Sequence, residues 1–145
     1  MNQSVPPTPG PGQAPAPTTG QTAIPTLPFE AVAASDSGNK RDHNEDAIWV
    51  TPPDHPKAAM RGYLMIVADG MGGHNAGEVA SQGAVRGVFD RFYNDTEPDV
   101  LRSLETAVRR TNAELYNQAQ ANPAQRGMGT TLTAAVLKGT HVYWA

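Results

Sequence analysis

A continuous apolar run that leads into a glycine-rich segment constrains the fold of this chain most strongly. Tyr63–Ala68 is apolar throughout and has the length and composition of a buried β-strand. Asp69 follows, and three of the next four residues are glycines. The strand is therefore predicted to deliver one carboxylate into a turn that opens a helix. Because glycines let the main chain approach a ligand closely, such a turn suits the binding of metal ions or phosphates.

Four further segments are rich in β-forming residues and are predicted to be short strands. They are residues 29–35, 47–51, 130–137 and 141–144. The dipeptide Lys138-Gly139 between the last two favours a hairpin turn. A polar stretch separates the first two segments, and it predicts a bend or a second hairpin there.

Two helices are predicted between the central strand and the hairpin. A capping box at Asn75 and Glu78 precedes residues 76–93, in which apolar residues recur at helical spacing. A second capping box, Thr96 with Asp99, predicts the start of another helix, which Asn122-Pro123 should end. Strands, two helices and a hairpin in this order favour an α+β layered fold over an alternating parallel sheet.

The amino-terminal 28 residues have a composition that does not support a folded core. They contain eight of the thirteen prolines and no charged side chain. Such a segment buries too little apolar surface to offset the entropy of ordering it. We therefore predict a disordered, proline-rich tail at 1–28 and a folded region at 29–145.

Composition also excludes several classes of function. The chain has no cysteine, which rules out disulfide scaffolds, zinc fingers with thiolate ligands and a cysteine nucleophile. A net charge of −3 and a pI near 5.7 argue against nucleic acid as the main partner. No secretory signal and no apolar run of membrane-spanning length is found, so we expect a cytoplasmic protein without membrane contact.

A second polar cluster, Arg41–Asp46, precedes the central strand. Considered alone it could be a solvated loop, just as Asp69-Gly70 could be a tight turn and His74 a polar residue beside a helix start. A calcium-binding EF-hand is rejected, because Ala47 and Pro53 stand where that loop needs glycine and glutamate. The glycine-lysine pair of a Walker phosphate loop is also missing. Together, the two clusters point to metal-assisted phosphoryl chemistry.

Read jointly, the polar and glycine-rich motifs resemble those of the metal-dependent protein phosphatase family, the PPM type, and in particular its bacterial members. The resemblance spans about residues 30–145 and rests on the order and spacing of five segments. These segments are Ser35–Gly38, Arg41, Asn44–Asp46, Asp69–His74 and Gly127–Thr131.

The resemblance implies an α+β fold, a β-sandwich flanked by helices in four layers (α/β/β/α), with two Mn²⁺ or Mg²⁺ ions in a cleft at one end of the sheets. It implies hydrolysis of protein phosphoserine and phosphothreonine by a hydroxide that bridges the ions. By motif position, Asp69 would bridge both ions and the Gly70 carbonyl would bind one. Glu45 and Asp46 would orient metal-bound waters, and Arg41 would hold the phosphate. Phosphorylated proteins, and a Ser/Thr kinase with its targets, are the implied partners.

Two departures from the family pattern bear on these expectations. Met71 stands where many eukaryotic relatives have a histidine proposed as general acid, so leaving-group protonation is not assigned to a residue. The family's later Gly-Asp-Ser segment and further metal-binding aspartates would follow Trp144. We therefore expect an amino-terminal part of the catalytic domain, truncated at its carboxyl end inside a strand, and inactive by itself.

Two alternatives from other functional classes stay open at this point. A degenerate phosphatase fold could serve as a non-catalytic sensing or partner-binding module, although the presence of all four acidic and basic motif residues speaks against it. The P-x-x-P spacing of Pro6 and Pro9 could recruit an SH3-like or WW-like domain, but no arginine or lysine flanks it.

Overall fold

The structure is a computed structural model that describes residues 29–39, 43–73 and 76–145. Its strands are β1 (Asp46–Val50), β2 (Tyr63–Met71), β3 (Gly129–Thr130), β4 (Thr133–Lys138) and β5 (His141–Trp144). Its helices are α1 (Ala58–Arg61), α2 (Ala76–Asn94) and α3 (Val100–Ala121), followed by a short 3-10 helix at Pro123–Gln125. The proline-rich tail predicted at 1–28 lies outside the described residues.

The strands form one antiparallel sheet in the order β1-β2-β4-β5, and β3 pairs with the far end of β2. The long central strand β2 therefore pairs with β1 along one edge and with both β3 and β4 along the other. Ile66 at the middle of β2 lies opposite Trp49 on one side and Ala134 on the other. This register places the polar end of β2, from Asp69 onward, between the start of β1 and β3.

One face of the sheet is covered by α2 and α3. Leu64, Ile66 and Ala68 alternate along β2 and are fully buried against the helices, as the period of two in a half-buried strand requires. From the helices, Phe92 and Leu104 close the same core and are also fully buried. The α+β architecture predicted from the order of elements is confirmed.

The opposite face of the sheet is apolar and open in the described residues. Val67 is 56% exposed, Val142 53% and Trp144 72%, and the register places all three on the side away from the helices. An apolar sheet face of this kind is the surface on which a β-sandwich packs its second sheet. The described residues thus supply one sheet and one helical layer of the four-layer arrangement.

Most predicted elements are confirmed, with bounds that shift by a few residues. The 76–93 helix is α2, the helix that ends before Asn122-Pro123 is α3, and 141–144 is β5. Gly139 turns the β4–β5 hairpin with a φ of +59°. The predicted 130–137 strand is interrupted at residues 131 and 132, which separate β3 from β4. Asn75, the predicted cap of α2, lies outside the described residues.

Two predictions, one for the first strand and one for the cap of the second helix, are wrong. Residues 29–35 do not form a strand; within the described part of the chain this segment has no strand to pair with, and Val32 is 83% exposed. Since β-propensity reflects packing on a sheet, a β-rich segment without a partner edge stays irregular. The second helix is capped by Asp99, whose carboxylate accepts from the Arg102 amide at 3.1 Å, and not by Thr96.

A buried arginine ties the helices together at the end of the sheet remote from Asp69. Arg61 is 6% exposed, and its guanidinium donates to the Glu97 and Phe92 carbonyls at 2.5 and 2.9 Å and to the Ser103 hydroxyl at 2.6 Å. The Ser103 hydroxyl in turn holds the pKa of Asp95 below its ordinary value. The guanidinium also lies over the Phe92 ring, 4.9 Å from its centroid.

Replacing Arg61 by methionine is expected to lower the free energy of unfolding of the full-length protein by about 3 kcal/mol, because buried carbonyls lose charge-assisted donors. Urea denaturation measures the change. Arg102→Met is the matched control, since Arg102 lies exposed on the same helix as Ser103 and should change stability by less than about 0.5 kcal/mol. Equal stability of the two variants would contradict this role for Arg61.

Within the described ranges, no helix has an apolar stretch long enough to cross a bilayer.

Candidate metal centre at the end of the central strand

Two carboxylates lie opposite each other where β1 begins and β2 nears its end. Asp46, the first residue of β1, is in register with Asp69 of β2, and opposed residues of an antiparallel pair share one face of the sheet. Their Cβ atoms are therefore about 5 Å apart, within reach of a common ion. Strand pairing brings together two residues that belong to separate clusters in the sequence.

Asp69 lies inside the strand and not in a turn, which corrects the sequence prediction. The strand continues to Met71 because β3 offers it a partner beyond the apolar run. Gly70 is opposite Thr130, and Met71 is opposite Gly129. The segment Gly127–Thr131 therefore extends the sheet around Asp69.

Gly70 is required by close packing and not by a turn conformation. Its amide donates to the Glu45 carbonyl at 3.1 Å, and the Gly77 carbonyl of α2 approaches it from the helix side. A Cβ on Gly70 would lie 2.6 Å from the Glu45 carbonyl oxygen and closer still to that of Gly77. The first turn of α2 thus packs directly on the strand end that carries Asp69.

Glu45 and Asp46 are neighbours in sequence, but their carboxylates lie in different surroundings. The Glu45 carboxylate lies against the first turn of α2, where its Oε1 is 2.5 Å from a Cβ built on Gly77. The Asp46 carboxylate is on the open face with Asp69. The two side chains therefore approach the strand end from the helix side and from the sheet face.

Asp46 is held by two residues to which sequence reasoning gave no role. The Asn44 side-chain oxygen accepts from the Asp46 amide at 3.0 Å, and the Asn44 amide group donates to the Ser35 hydroxyl at 2.7 Å. Ser35 donates in turn to an Asp46 carboxylate oxygen at 3.3 Å. Both residues belong to the motifs that carry the family resemblance, which was the one signal in the sequence that pointed to them.

Arg41, a further predicted site residue, lies outside the described residues, as does His74 of the glycine-rich motif. Among residues 29–39, 43–73 and 76–145, no three carboxylate, imidazole or thiolate side chains meet as a metal site. The donors that do converge are the carboxylates of Asp46 and Asp69 and the nearby main chain of Gly70. An all-oxygen set of this kind fits hard divalent cations such as Mn²⁺ or Mg²⁺.

A family profile described as "Protein phosphatase 2C" matches residues 40–145. The chain is 40% identical over 119 residues to the serine/threonine protein phosphatase PstP of Mycobacterium tuberculosis, covering 81% of this chain and 21% of that protein. It is 38% identical over 114 residues to the serine/threonine phosphatase stp of Listeria monocytogenes, covering 74% of this chain and 42% of that protein.

Solved structures of serine/threonine phosphatases also match this chain. The catalytic domain of PstP in complex with two manganese ions superposes with a TM-score of 0.60 at 37% identity, covering 75% of this chain and 43% of that one. This chain therefore spans less than half the length of the phosphatases that it matches.

Proposed function

This chain belongs to the protein phosphatase 2C family, the metal-dependent PPM type, and on that premise we propose that the protein hydrolyses phosphoserine and phosphothreonine in other proteins. The reaction would use two Mn²⁺ or Mg²⁺ ions. The single observation that carries the proposal is the Asp46–Asp69 pair on the adjacent strands β1 and β2. The pair lies beside Gly70, at the end of β2 that packs on α2.

Several residues of this chain would bind the ions, directly or through water. Asp69 would contact both, the Gly70 carbonyl one of them, and Glu45 and Asp46 would act through water. Opposed like charges on neighbouring strands repel each other, so a cation between Asp46 and Asp69 would stabilise the fold locally. Arg41, with its planar fork of donors, would hold the phosphate oxygens.

When bound, a pair of divalent ions lowers the pKa of a shared water and stabilises the charge on attacking and leaving oxygens. No protein nucleophile is then needed, in agreement with a chain that contains no cysteine. The Ser35 and Asn44 hydrogen bonds would keep the Asp46 carboxylate turned toward the water it orients. The structure of PstP with two manganese ions supports the same ion count here.

We further propose that these 145 residues hold only part of the ligand set. With Glu45 and Asp46 acting through water, Asp69 and the Gly70 carbonyl are the direct ligands, and they leave each divalent ion short of its preferred six oxygen ligands unless water fills the rest. Among the described residues, no group of three acidic, imidazole or thiolate side chains is found that could hold an ion. The 145-residue chain assayed alone with Mn²⁺ is therefore expected to release no phosphate above background. Turnover equal to that of the full-length protein would contradict this.

Phosphate release from a phosphothreonine peptide by the full-length protein tests the main proposal. We expect hydrolysis with added Mn²⁺, loss of activity after dialysis against a chelator, and recovery when Mn²⁺ is restored, because the ions supply the reactive water. A chelated protein that keeps its full rate would refute the two-ion mechanism. A protein that binds Mn²⁺ and phosphopeptide without turnover would favour the non-catalytic alternative.

Phosphorylated proteins as substrates, a Ser/Thr kinase and its targets as partners, and a cytoplasmic location all stay predictions. The Asp46–Asp69 pair supports catalysis over a degenerate fold, since a sensing module has no need to keep two opposed carboxylates.

A further inference from the structure

At Asp69, a side chain replaces the main chain in one of the hydrogen bonds between β2 and the segment that joins β3 to β4. In a regular antiparallel pair, opposed hydrogen-bonded residues exchange two main-chain bonds. One of them is present here, since the Thr131 amide donates to the Asp69 carbonyl at 2.9 Å. The other is replaced, because the Asp69 amide donates to the Thr131 side-chain hydroxyl at 3.1 Å.

The Thr131 carbonyl, which would ordinarily accept from the Asp69 amide, faces another donor. The Thr130 hydroxyl lies 2.8 Å from it and 2.9 Å from the Asp69 carbonyl oxygen, and its single hydrogen can go to either. Two threonine hydroxyls thus take part in the bonding around one aspartate. This is also where the predicted 130–137 strand is interrupted.

Asp69 is held from both edges of the strand. Its amide and carbonyl are bonded to Thr131 on one side, while the next amide along the chain, that of Gly70, donates to the Glu45 carbonyl on the other at 3.1 Å. Because the peptide unit between Asp69 and Gly70 is planar, bonds to its oxygen and its nitrogen fix its orientation. The direction of the Asp69 side chain depends on this orientation.

We propose that Thr131 is a positioning residue, whose hydroxyl holds the Asp69 main chain so that its carboxylate points at the ion site. The inference rests on the proposed function, because it gives Asp69 the role of metal ligand. Thr131 is itself exposed, so water can solvate the Asp69 amide when the hydroxyl is removed. The loss therefore falls on the placement of Asp69 and not on the stability of the fold.

Three variants of the full-length protein separate positioning from a merely structural role. Thr131→Val keeps the shape and the main-chain bond but removes the hydroxyl acceptor, whereas Thr131→Ser keeps both bonds. Thr133→Val is the matched control, since Thr133 is exposed on β4 opposite Val67. Mn²⁺ affinity is measured by calorimetric titration of metal-free protein, together with melting temperature, kcat and KM for a phosphothreonine peptide.

We expect Thr131→Val to weaken Mn²⁺ binding and to lower kcat by about tenfold, the range for residues that orient a metal ligand. The KM and melting temperature of Thr131→Val should stay near those of the unmodified protein. Thr131→Ser and Thr133→Val should match the unmodified protein in Mn²⁺ affinity, melting temperature, kcat and KM. Unchanged Mn²⁺ affinity and kcat in Thr131→Val would overturn the positioning role alone. An unmodified protein that neither binds Mn²⁺ nor releases phosphate would overturn the proposed function and this inference with it.

Should Thr131→Val not fold, Thr131→Ala removes the same hydroxyl with a smaller side chain and is measured in the same way. A loss of Mn²⁺ affinity in Thr131→Ala at an unchanged melting temperature would support the positioning of Asp69 by the Thr131 hydroxyl. Unchanged affinity would overturn it.

Discussion

Phosphate release by the full-length protein is expected to fall by at least about a thousandfold when Asp69 is replaced by alanine, because no other described side chain could contact both ions. Asp69 lies at the centre of the site: Asp46 is opposite it, and Thr131 bonds its amide and its carbonyl. Steady-state release from a phosphothreonine peptide at saturating Mn²⁺ measures the loss. Calorimetric titration should show at least one Mn²⁺ no longer bound.

Asp54→Ala is the matched control for this variant. Asp54 is exposed in the loop after β1, at the end of that strand remote from Asp46, so its removal should leave activity and Mn²⁺ binding unchanged. Full activity in Asp69→Ala would require other residues to hold the ions, and the proposed mechanism would then have to be abandoned. A loss of folding in Asp69→Ala is not expected, since the side chain is exposed.

The second large effect is expected from Gly70→Ala, which should lower the free energy of unfolding of the full-length protein by about 3 kcal/mol. The new methyl group would lie 2.6 Å from the Glu45 carbonyl oxygen and would also overlap the Gly77 carbonyl. Both neighbours are main-chain atoms, so relief requires β2 and α2 to move apart. Urea denaturation measures the stability, and Mn²⁺ binding should weaken in parallel.

Gly73→Ala provides the comparison within the same glycine-rich segment. Apart from its chain neighbours, no atom of the described residues lies within 4 Å of a Cβ built on Gly73, so this variant should differ from the unmodified protein by less than about 0.5 kcal/mol. If Gly70→Ala were as stable as Gly73→Ala, the packing of α2 on the strand end would not be as close as described.

The sequence predicted the elements better than it predicted their role at the site. The apolar run at 63–68, the helical stripe at 76–93 and the Lys138-Gly139 turn each encode their structure locally, through periodicity or turn preference. Residues 29–35 have a similar β-forming composition, yet they are irregular because strand formation needs a partner edge. Capping shows a similar limit, since the second residue of the predicted box, Asp99, caps the helix in place of the first, Thr96.

For the site, the sequence supplied the motif residues and the resemblance supplied their expected roles, but neither gave the reason for the glycines or the threonines. In the sequence, a turn is a sufficient reason for a glycine at position 70. The structure gives a different reason, because the Gly77 main chain packs against Gly70 and leaves no room for a Cβ. Thr130 and Thr131 could not be connected with Asp69 from spacing, because some sixty residues separate them along the chain. Hydrogen bonds between such distant residues follow from strand register alone.

The sequence by itself determined which chemistry is available: carboxylate oxygens without thiolates, an apolar central strand and two amphipathic helices, all of which are properties of single residues or of their local period. Tertiary structure alone decided that Asp46 lies opposite Asp69, that Glu45 packs beside Gly77 and that Thr131 bonds Asp69. The physical reason is that pairing between strands joins residues by register and not by distance along the chain. A shift of one residue would have turned these side chains to opposite faces.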